Sequence, residues 1–383
     1  MLVAVAIILG FLSYGPAWTG FGERTVTVGR GEAVFPAKTL WDWMQLLVVP
    51  LALAAGAYWI NRVQSERERR AQEARRERDL RIEDNRSQDA ALEAYLDRMD
   101  ELLLDRGLRE SHEEDEVRVS ARARTITALS RLDSRRKASV LRFLYEAELI
   151  AKDSPVIDLD GADLRHADLY GFKLIDANLR GADLSDANLT LADLSGAELT
   201  FTKFIRANLK RARLKGAHMP ATTLRRAVLH RAQLDAAVLT NSVLPRADLS
   251  GALMDDAVLK HANLDRCDMR GASARRADFS GARLFSADLT EANLSDANLE
   301  KARFEVRRTD RINMEVDDEA MKRMSLDEED NIQEDLESAT LVRTVLDGAS
   351  LWSARISDKQ ISSCASREGA ELPARSTLHG PPE

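Results

Sequence analysis

From Leu159 to Phe304 every fifth residue is apolar, in thirty successive units without slippage. Twenty-three of these positions are Leu, three are Phe (Phe204, Phe279, Phe304), three are Met (Met219, Met254, Met269) and one is Ala274. Two residues earlier in each unit stands Ala, except at Ile157, Phe172, Thr202, Thr222, Ser242 and Cys267. A period of five fits neither the 3.6 of a helix nor the 2 of a strand, so the chain must turn once per unit. Leu then points inward, and Ala, being small, takes a second and tighter inward position. Only 5% of the chain is aromatic, as a narrow aliphatic interior requires. The other three positions of each unit are polar and variable, and the many Asp and Asn residues at the outward position before Leu read as turn and surface polarity.

Units such as Ala192-Asp193-Leu194-Ser195-Gly196 and Ala292-Asn293-Leu294-Ser295-Asp296 resemble the A(D/N)LXX signature of the pentapeptide-repeat family, and the resemblance covers residues 157–305. It implies a mainly β fold, a right-handed quadrilateral β-helix with four units to the coil. At about 4.8 Å between coils, such a solenoid over residues 156–305 is roughly 36 Å long. Ala274 is expected to leave a gap in its column, with the flexible Met254 one coil below suited to fill it. The register breaks after Phe304. Residues 306–338 form an acidic insertion with 12 acids, five bases and a net charge of −7. The repeat resumes at Leu341, Leu346, Leu351 and Ile356, so residues 339–383 read as a closing coil and C-terminal tail.

Residues 1–60 contain two apolar segments. Leu2–Trp18 lies at the short limit for crossing a bilayer; it lacks the basic flank and cleavage site of a secretory leader. Leu40–Ile60 is longer, with Trp41 and Trp43 at one edge and Tyr58 and Trp59 at the other, where interfacial aromatics belong. Two transmembrane helices joined by a short external loop (20–39) are expected. The loop carries three bases, whereas residues 61–80 carry seven arginines, so both termini and the solenoid are expected on the cytoplasmic side. Residues 61–110 read as a charged stalk helix. Within it Leu92, Tyr95, Leu96, Met99, Leu102 and Leu103 recur at helical spacing and must bury a face, either in self-association or against the following helices. Residues 111–155 read as a helical cap, with helices at roughly 114–132 and 135–150, because an uncovered solenoid end would expose its apolar column.

The six histidines do not cluster at ligand spacing, and the two cysteines, Cys267 and Cys364, make neither a disulfide framework nor a zinc site. With no phosphate loop, nucleophile motif or paired carboxylates, the chain reads as no enzyme, without cofactor or metal. Charge placement is more informative. Residues 157–198 hold nine acids and three bases, residues 199–231 nine bases and no acid, and residues 232–305 twelve acids and nine bases. The middle coils therefore form a basic band. Arg206, Arg226, Arg246 and Arg266 stand four units apart and stack as a ladder, beside Arg225, Lys210 and Arg211. These seven residues are the candidate site for an anion or an acidic partner; splayed, hydrated arginines paired with neighbouring acids are the alternative.

Some pentapeptide-repeat proteins resemble the acidic surface of duplex DNA and inhibit topoisomerases. Here residues 157–305 hold 21 acids and 21 bases, and nucleic-acid partnership is disfavoured. The leading expectation is a bacterial inner-membrane protein with two spans, a non-enzymatic scaffold that presents its solenoid to a protein partner. A DNA-mimic topoisomerase regulator and an oligomeric assembly device, joined through the stalk, are the alternatives.

Overall fold

The computed structural model describes residues 24–28, 31–35, 40–304, 339–351, 354, 356 and 358–371, with side chains from Pro50 onward. Contacts divide the chain into two units, 1–85 and 86–383. In the first, β1 (Arg24–Val28) and β2 (Gly31–Phe35) pair antiparallel, with Val28 opposite Gly31. The expected external loop is thus a hairpin, for which alternation in Arg-Thr-Val-Thr-Val is the local cause. Helix α1 runs from Leu40 to Leu104 with Pro50 inside it, so the second apolar segment and the stalk are one helix. The first apolar segment, 2–18, lies outside the described residues, as does the acidic insertion. Among the described residues no helix is long and apolar enough to cross a membrane.

In the second unit α1 ends at Leu104, and Gly107, with φ of 62°, turns the chain into a single 3-10 turn at Leu108–Glu110. Helices α2 (Glu116–Arg131) and α3 (Ser134–Glu146) follow. Tyr95, Met99 and Leu102 of α1 are buried with Leu129, Leu141 and Leu144, so this face of the stalk is spent within the chain's own cap. Asp89 takes two hydrogen bonds from Arg136 (2.9 and 2.8 Å), and Gln88 bridges the α2–α3 junction. Burial pushes the Tyr95 hydroxyl up to about 12, and that hydroxyl pairs with Thr125 at 3.0 Å. Helix α3 stops at Glu146, short of the expected Ile150, because Glu148 adopts a positive φ. Leu149 and Ile150 then close the end of the apolar column, with Ile150 O accepting from Asn178 N–H at 2.7 Å.

Beyond the cap the chain coils so regularly that each unit lies over the unit four earlier. The residue before each inward Leu forms a parallel bridge with its counterpart one coil on, from Asp163–Asp183 to Arg283–Arg303. Four such columns define four faces. Face 1 carries Asp163, Asp183, Lys203, Thr223 and Val243; face 2 Asp168, Asn188, Asn208 and Val228; face 3 Lys173, Asp193, Arg213 and Gln233; face 4 Asn178, Glu198, His218 and Val238. The Leu and Ala positions are buried throughout, including Ala274 and Met254. After the insertion Ala339 N–H bonds Phe304 O at 2.9 Å, and Thr340 bridges Asp288, so the ladder continues in phase. A short helix α4 (Asp358–Ser362) then shifts the register by one, and Ser366 and Glu371 pair with Val345 and Ser350.

Backbone hydrogen bonding explains the repeat one residue at a time. Leu164 N–H donates to Asp183 O (2.9 Å), His166 N–H to Ser185 O (3.1 Å), Asp183 N–H to Ala162 O (2.9 Å), and Ala167 N–H closes the turn on Leu164 O (3.1 Å). Four of the five N–H groups in a unit are thereby satisfied. The fifth, on the residue after Leu, has no ladder partner and, in units with Asp or Asn before Leu, is taken by that side chain, as in Arg165 N–H to Asp163 Oδ1 at 3.0 Å, Ser195 to Asp193 and Glu300 to Asn298. Asp and Asn before Leu are thus caps, a more specific role than surface polarity. The corner residue adopts a positive φ at all 29 positions from Gly161 to Lys301, 21 of them not Gly. None of these is Val, Ile, Thr or Pro.

The corners and the cap can each be probed by substitution. A left-handed φ costs a non-Gly residue about 1–2 kcal/mol, so Ala236→Gly should raise stability by up to about 1 kcal/mol and Ala236→Val lower it by about as much. Denaturant unfolding checks the order, and equal stabilities would show that the corners carry no strain. At the cap, burial works against the Asp163 carboxylate, but hydrogen bonds from Arg165 and Lys137 prevail and hold it at about 2, below its ordinary 3.8. A depressed carboxyl stabilises the fold above its unfolded value and loses that effect as pH falls through the folded one. Asp163→Asn should therefore lower the melting temperature at pH 7, with the deficit vanishing near pH 2; a constant deficit would contradict this.

Candidate functional site

The coil register distributes the nine bases of residues 199–231 over three faces. Lys203 and Arg225 lie on face 1, Lys210 on face 2, and Arg213 and Lys215 on face 3. Arg206 and Arg226 stand at the corner between faces 1 and 2, Arg211 and Arg231 at the corner between faces 2 and 3. Face 4 carries none, and in these coils presents Phe201, His218, Pro220 and Ala221. The band is open on one side.

The expected arginine ladder forms one corner column: Asp186, Arg206, Arg226, Arg246, Arg266, Ser286. Its members are in left-handed turn positions about 4.8 Å apart, which directs every side chain outward from the same edge. Asp186 closes the lower end. It accepts from Arg206 Nε and Nη2, both at 2.8 Å, and this pairing holds the Asp186 carboxyl below the usual carboxylate range. Arg206 and Arg226 are exposed, whereas Arg246 and Arg266 are half-buried. Arg225 joins this cluster from face 1, since its carbonyl accepts from Arg206 N–H at 2.9 Å.

Lys210 and Arg211 belong elsewhere. Arg211 stacks below Arg231, and with Lys173 and Arg213 these residues line a shallow depression at the corner of faces 2 and 3. Asp193 on its floor pairs with Arg213 at 3.4 Å. Burial opposes ionisation of Asp193, yet hydrogen bonds from Ser195 and Arg213 keep its carboxyl below the usual range. The structure therefore splits the seven sequence-predicted residues into two groups and adds Lys203, Arg213, Arg231 and Lys173. Arg231 was within reach of the sequence, standing four units after Arg211; the others occupy bridge positions, where a search for corner ladders does not look.

Other titratable groups are held by the coil. His218 Nδ1 meets Glu198 at 2.8 Å, and His230 Nδ1 meets Ser250 at 2.8 Å. Cys267 is buried and donates to Leu244 O at 2.9 Å, as Ser242 does to Met219 O, and burial pushes its thiol far up. Asp265 is buried although it points outward; burial raises its carboxyl despite Arg283, which donates at 2.6 Å, and Arg303. Among the described residues no group of His, Cys, Asp and Glu could hold a metal ion.

The family model for pentapeptide repeats matches the solenoid in eight copies, over residues 157–196, 192–231, 232–271, 252–290 and 267–305. Residues 157–305 belong to the pentapeptide-repeat family. This repeat region has the family's right-handed quadrilateral β-helix, with one bridge residue per face and coil. Similar solved structures include full-length QnrB1, a plasmid-mediated fluoroquinolone resistance protein, at 15% identity and a TM-score of 0.33, covering 54% of this chain and 87% of that one. HetL, involved in heterocyst differentiation regulation in the cyanobacterium Nostoc, has 23% identity and a TM-score of 0.25, covering 61% and 94%. Rfr23 from the cyanobacterium Cyanothece has 18% identity and a TM-score of 0.24, covering 44% and 91%. At these scores the likeness carries no argument; the family assignment rests on the repeat and its ladder. No relative among curated proteins matches the chain. What distinguishes this pentapeptide-repeat solenoid from its own repeat pattern is the interruption of acidic outward positions between Glu198 and Asp235.

Proposed function

We propose that this pentapeptide-repeat protein is a non-enzymatic scaffold that presents the arginine-rich middle coils of its solenoid to an acidic protein partner. The observation that carries the reading is the run of nine bases without an acid over residues 199–231, displayed on a rigid ladder in which every outward residue has a fixed neighbour one coil away. A DNA mimic needs a polyanionic surface, and this one is cationic where it is most charged. Assembly through the stalk is less favoured, because Tyr95, Met99 and Leu102 are buried in the chain's own cap.

The proposal places the scaffold at the cytoplasmic face of a bacterial inner membrane, with residues 2–18 and 40–60 as spans. Leu51, Leu53, Tyr58, Trp59 and Ile60 are at least half exposed along α1, an apolar surface without a protein partner among the described residues, as lipid contact requires. The seven arginines of residues 61–80 follow directly.

Affinity capture from alkali-washed membranes, with the full chain as bait, tests both parts. The chain should stay with the membranes and recover a partner that elutes as ionic strength rises, since exposed charge pairs are screened. An Arg226→Gln/Arg246→Gln/Arg266→Gln variant should recover at least about tenfold less, roughly 1.4 kcal/mol of lost binding. Equal recovery by the two chains would refute the role of the basic coils.

A further inference from the structure

The open side of the basic band has a composition unlike the rest of the solenoid. On face 4 and the adjoining face 1, around the corner of Phe201, Ala221 and Asn241, the outward residues include Ile205, Pro220, Val238, Val243, Pro245 and Val258, interspersed with Lys203, His218, Thr223 and Arg225. Phe201 is 55% exposed, and the aliphatic residues are half-buried between their neighbours above and below. Within these two faces no acid occurs between Glu198 and Asp265; Asp256 stands at the far corner, between faces 3 and 4. The opposite edge, on face 1, is the arginine corner with Arg206, Arg226 and Arg246.

This surface breaks the rule that builds the coil. The capping position before Leu holds Asp, Asn or Glu in just over half of the units, yet in seven consecutive units it reads Arg213, His218, Thr223, Val228, Gln233, Val238 and Val243, and four of these, His218, Thr223, Val238 and Val243, lie on faces 4 and 1. The Asp or Asn cap is thereby absent from all seven. At the patch the loss is partly offset, because Pro220 and Pro245 occupy the position whose N–H the cap would serve, and proline has none. Proline also suits the second position of a turn whose third residue has positive φ. Where a sequence departs from its own local rule with an apolar surface as the result, a binding role is the physical expectation.

We infer that faces 4 and 1 of the middle coils form one composite docking surface, an apolar centre rimmed on one side by arginines, for a partner protein whose contact region sets aliphatic or aromatic side chains beside a row of carboxylates. The inference rests on the scaffold reading and narrows it. The centre excludes water and contributes area, whereas the arginine corner fixes orientation and selects against basic partners. Charge complementarity chooses the partner's chemistry, since the middle of this surface offers a row of carboxylates no repulsion. Residues 306–338 and a second copy of the chain are the competing occupants.

A photo-reactive benzoylphenylalanine introduced in the full chain in its membrane, at Val238 or Val243, tests this directly. Positions Val228 on face 2 and Leu253 on face 3 are the controls. The expected result is a cross-link from 238 and 243, and not from 228 or 253, to a segment of another protein that contains Asp or Glu. Its yield should fall at least about tenfold with Arg226→Glu/Arg246→Glu, and partly with the corresponding Gln pair, which keeps the surface intact without reversing its charge. Cross-links to a second copy or to residues 306–338 would overturn the inference in favour of those occupants. Cross-links from 228 or 253 alone would overturn it while leaving the scaffold reading in place; no partner cross-link from any of the four positions would count against both.

Discussion

Everything in this solenoid depends on a backbone hydrogen bond that reaches from each coil to the next. Because Leu164 N–H finds Asp183 O, and Leu169 N–H finds Asn188 O, successive coils are fixed in register, and no side chain has a choice of neighbour. The ladder also dictates composition. It satisfies four N–H groups per unit and leaves the fifth for a short polar side chain, which Asp or Asn before Leu supplies in half of the units. It sets every corner in the left-handed region, which excludes β-branched residues there. The remaining outward freedom is small, and charge is placed within it.

The same ladder turns a one-dimensional charge pattern into surfaces. The basic run 199–231 occupies less than two coils, so it cannot extend along a single face. It wraps around three faces and leaves the fourth neutral. Vertical pairs then tie coils together: Arg206 to Asp186, Arg275 to Asp255 and Arg276 to Asp256 each join one coil to its neighbour. These pairs are exposed and individually weak. Their significance is the register they share with the backbone, which makes one corner cationic from Arg206 to Arg266. The buried polar column Thr202, Thr222 and Ser242 lies behind face 1, donating to Leu179 O, Leu199 O and Met219 O of the preceding coils, so the interior of the middle coils is hydrogen-bonded where Ala stands elsewhere.

Much of this was legible in the sequence, for a physical reason: a fixed period of five leaves one way to bury Leu, and spacing by four units then names every vertical neighbour. The Leu column, the arginine ladder and the resumption at Leu341 are all arithmetic. What the sequence hid depends on groups that leave no periodic trace. The role of Asp163 or Asn298 as a cap appears only when the N–H groups are counted. Lys210 and Arg211 look adjacent to Arg206 along the chain but turn onto the next face. The neutral corner of Val238 and Val243 escapes a search for charge, because its signal is the absence of caps. The hairpin at 24–35 is short and was covered by the expectation of a loop between spans.

The claim that the middle coils exchange local caps for a docking surface is tested most directly by amide hydrogen exchange on the full chain. Lys215, His230 and Thr240 follow Arg213, Val228 and Val238 and so lack a carboxylate or amide cap, whereas Ser185, Thr190 and Ser195 have one. The account predicts that the ladder amides of Leu214, Leu229 and Leu239 are as protected as those of Leu184, Leu189 and Leu194, while the three uncapped turn amides exchange much faster than the three capped ones. Equal protection of the two sets of turn amides would contradict it, because the caps would then be ornamental and their loss would mark nothing.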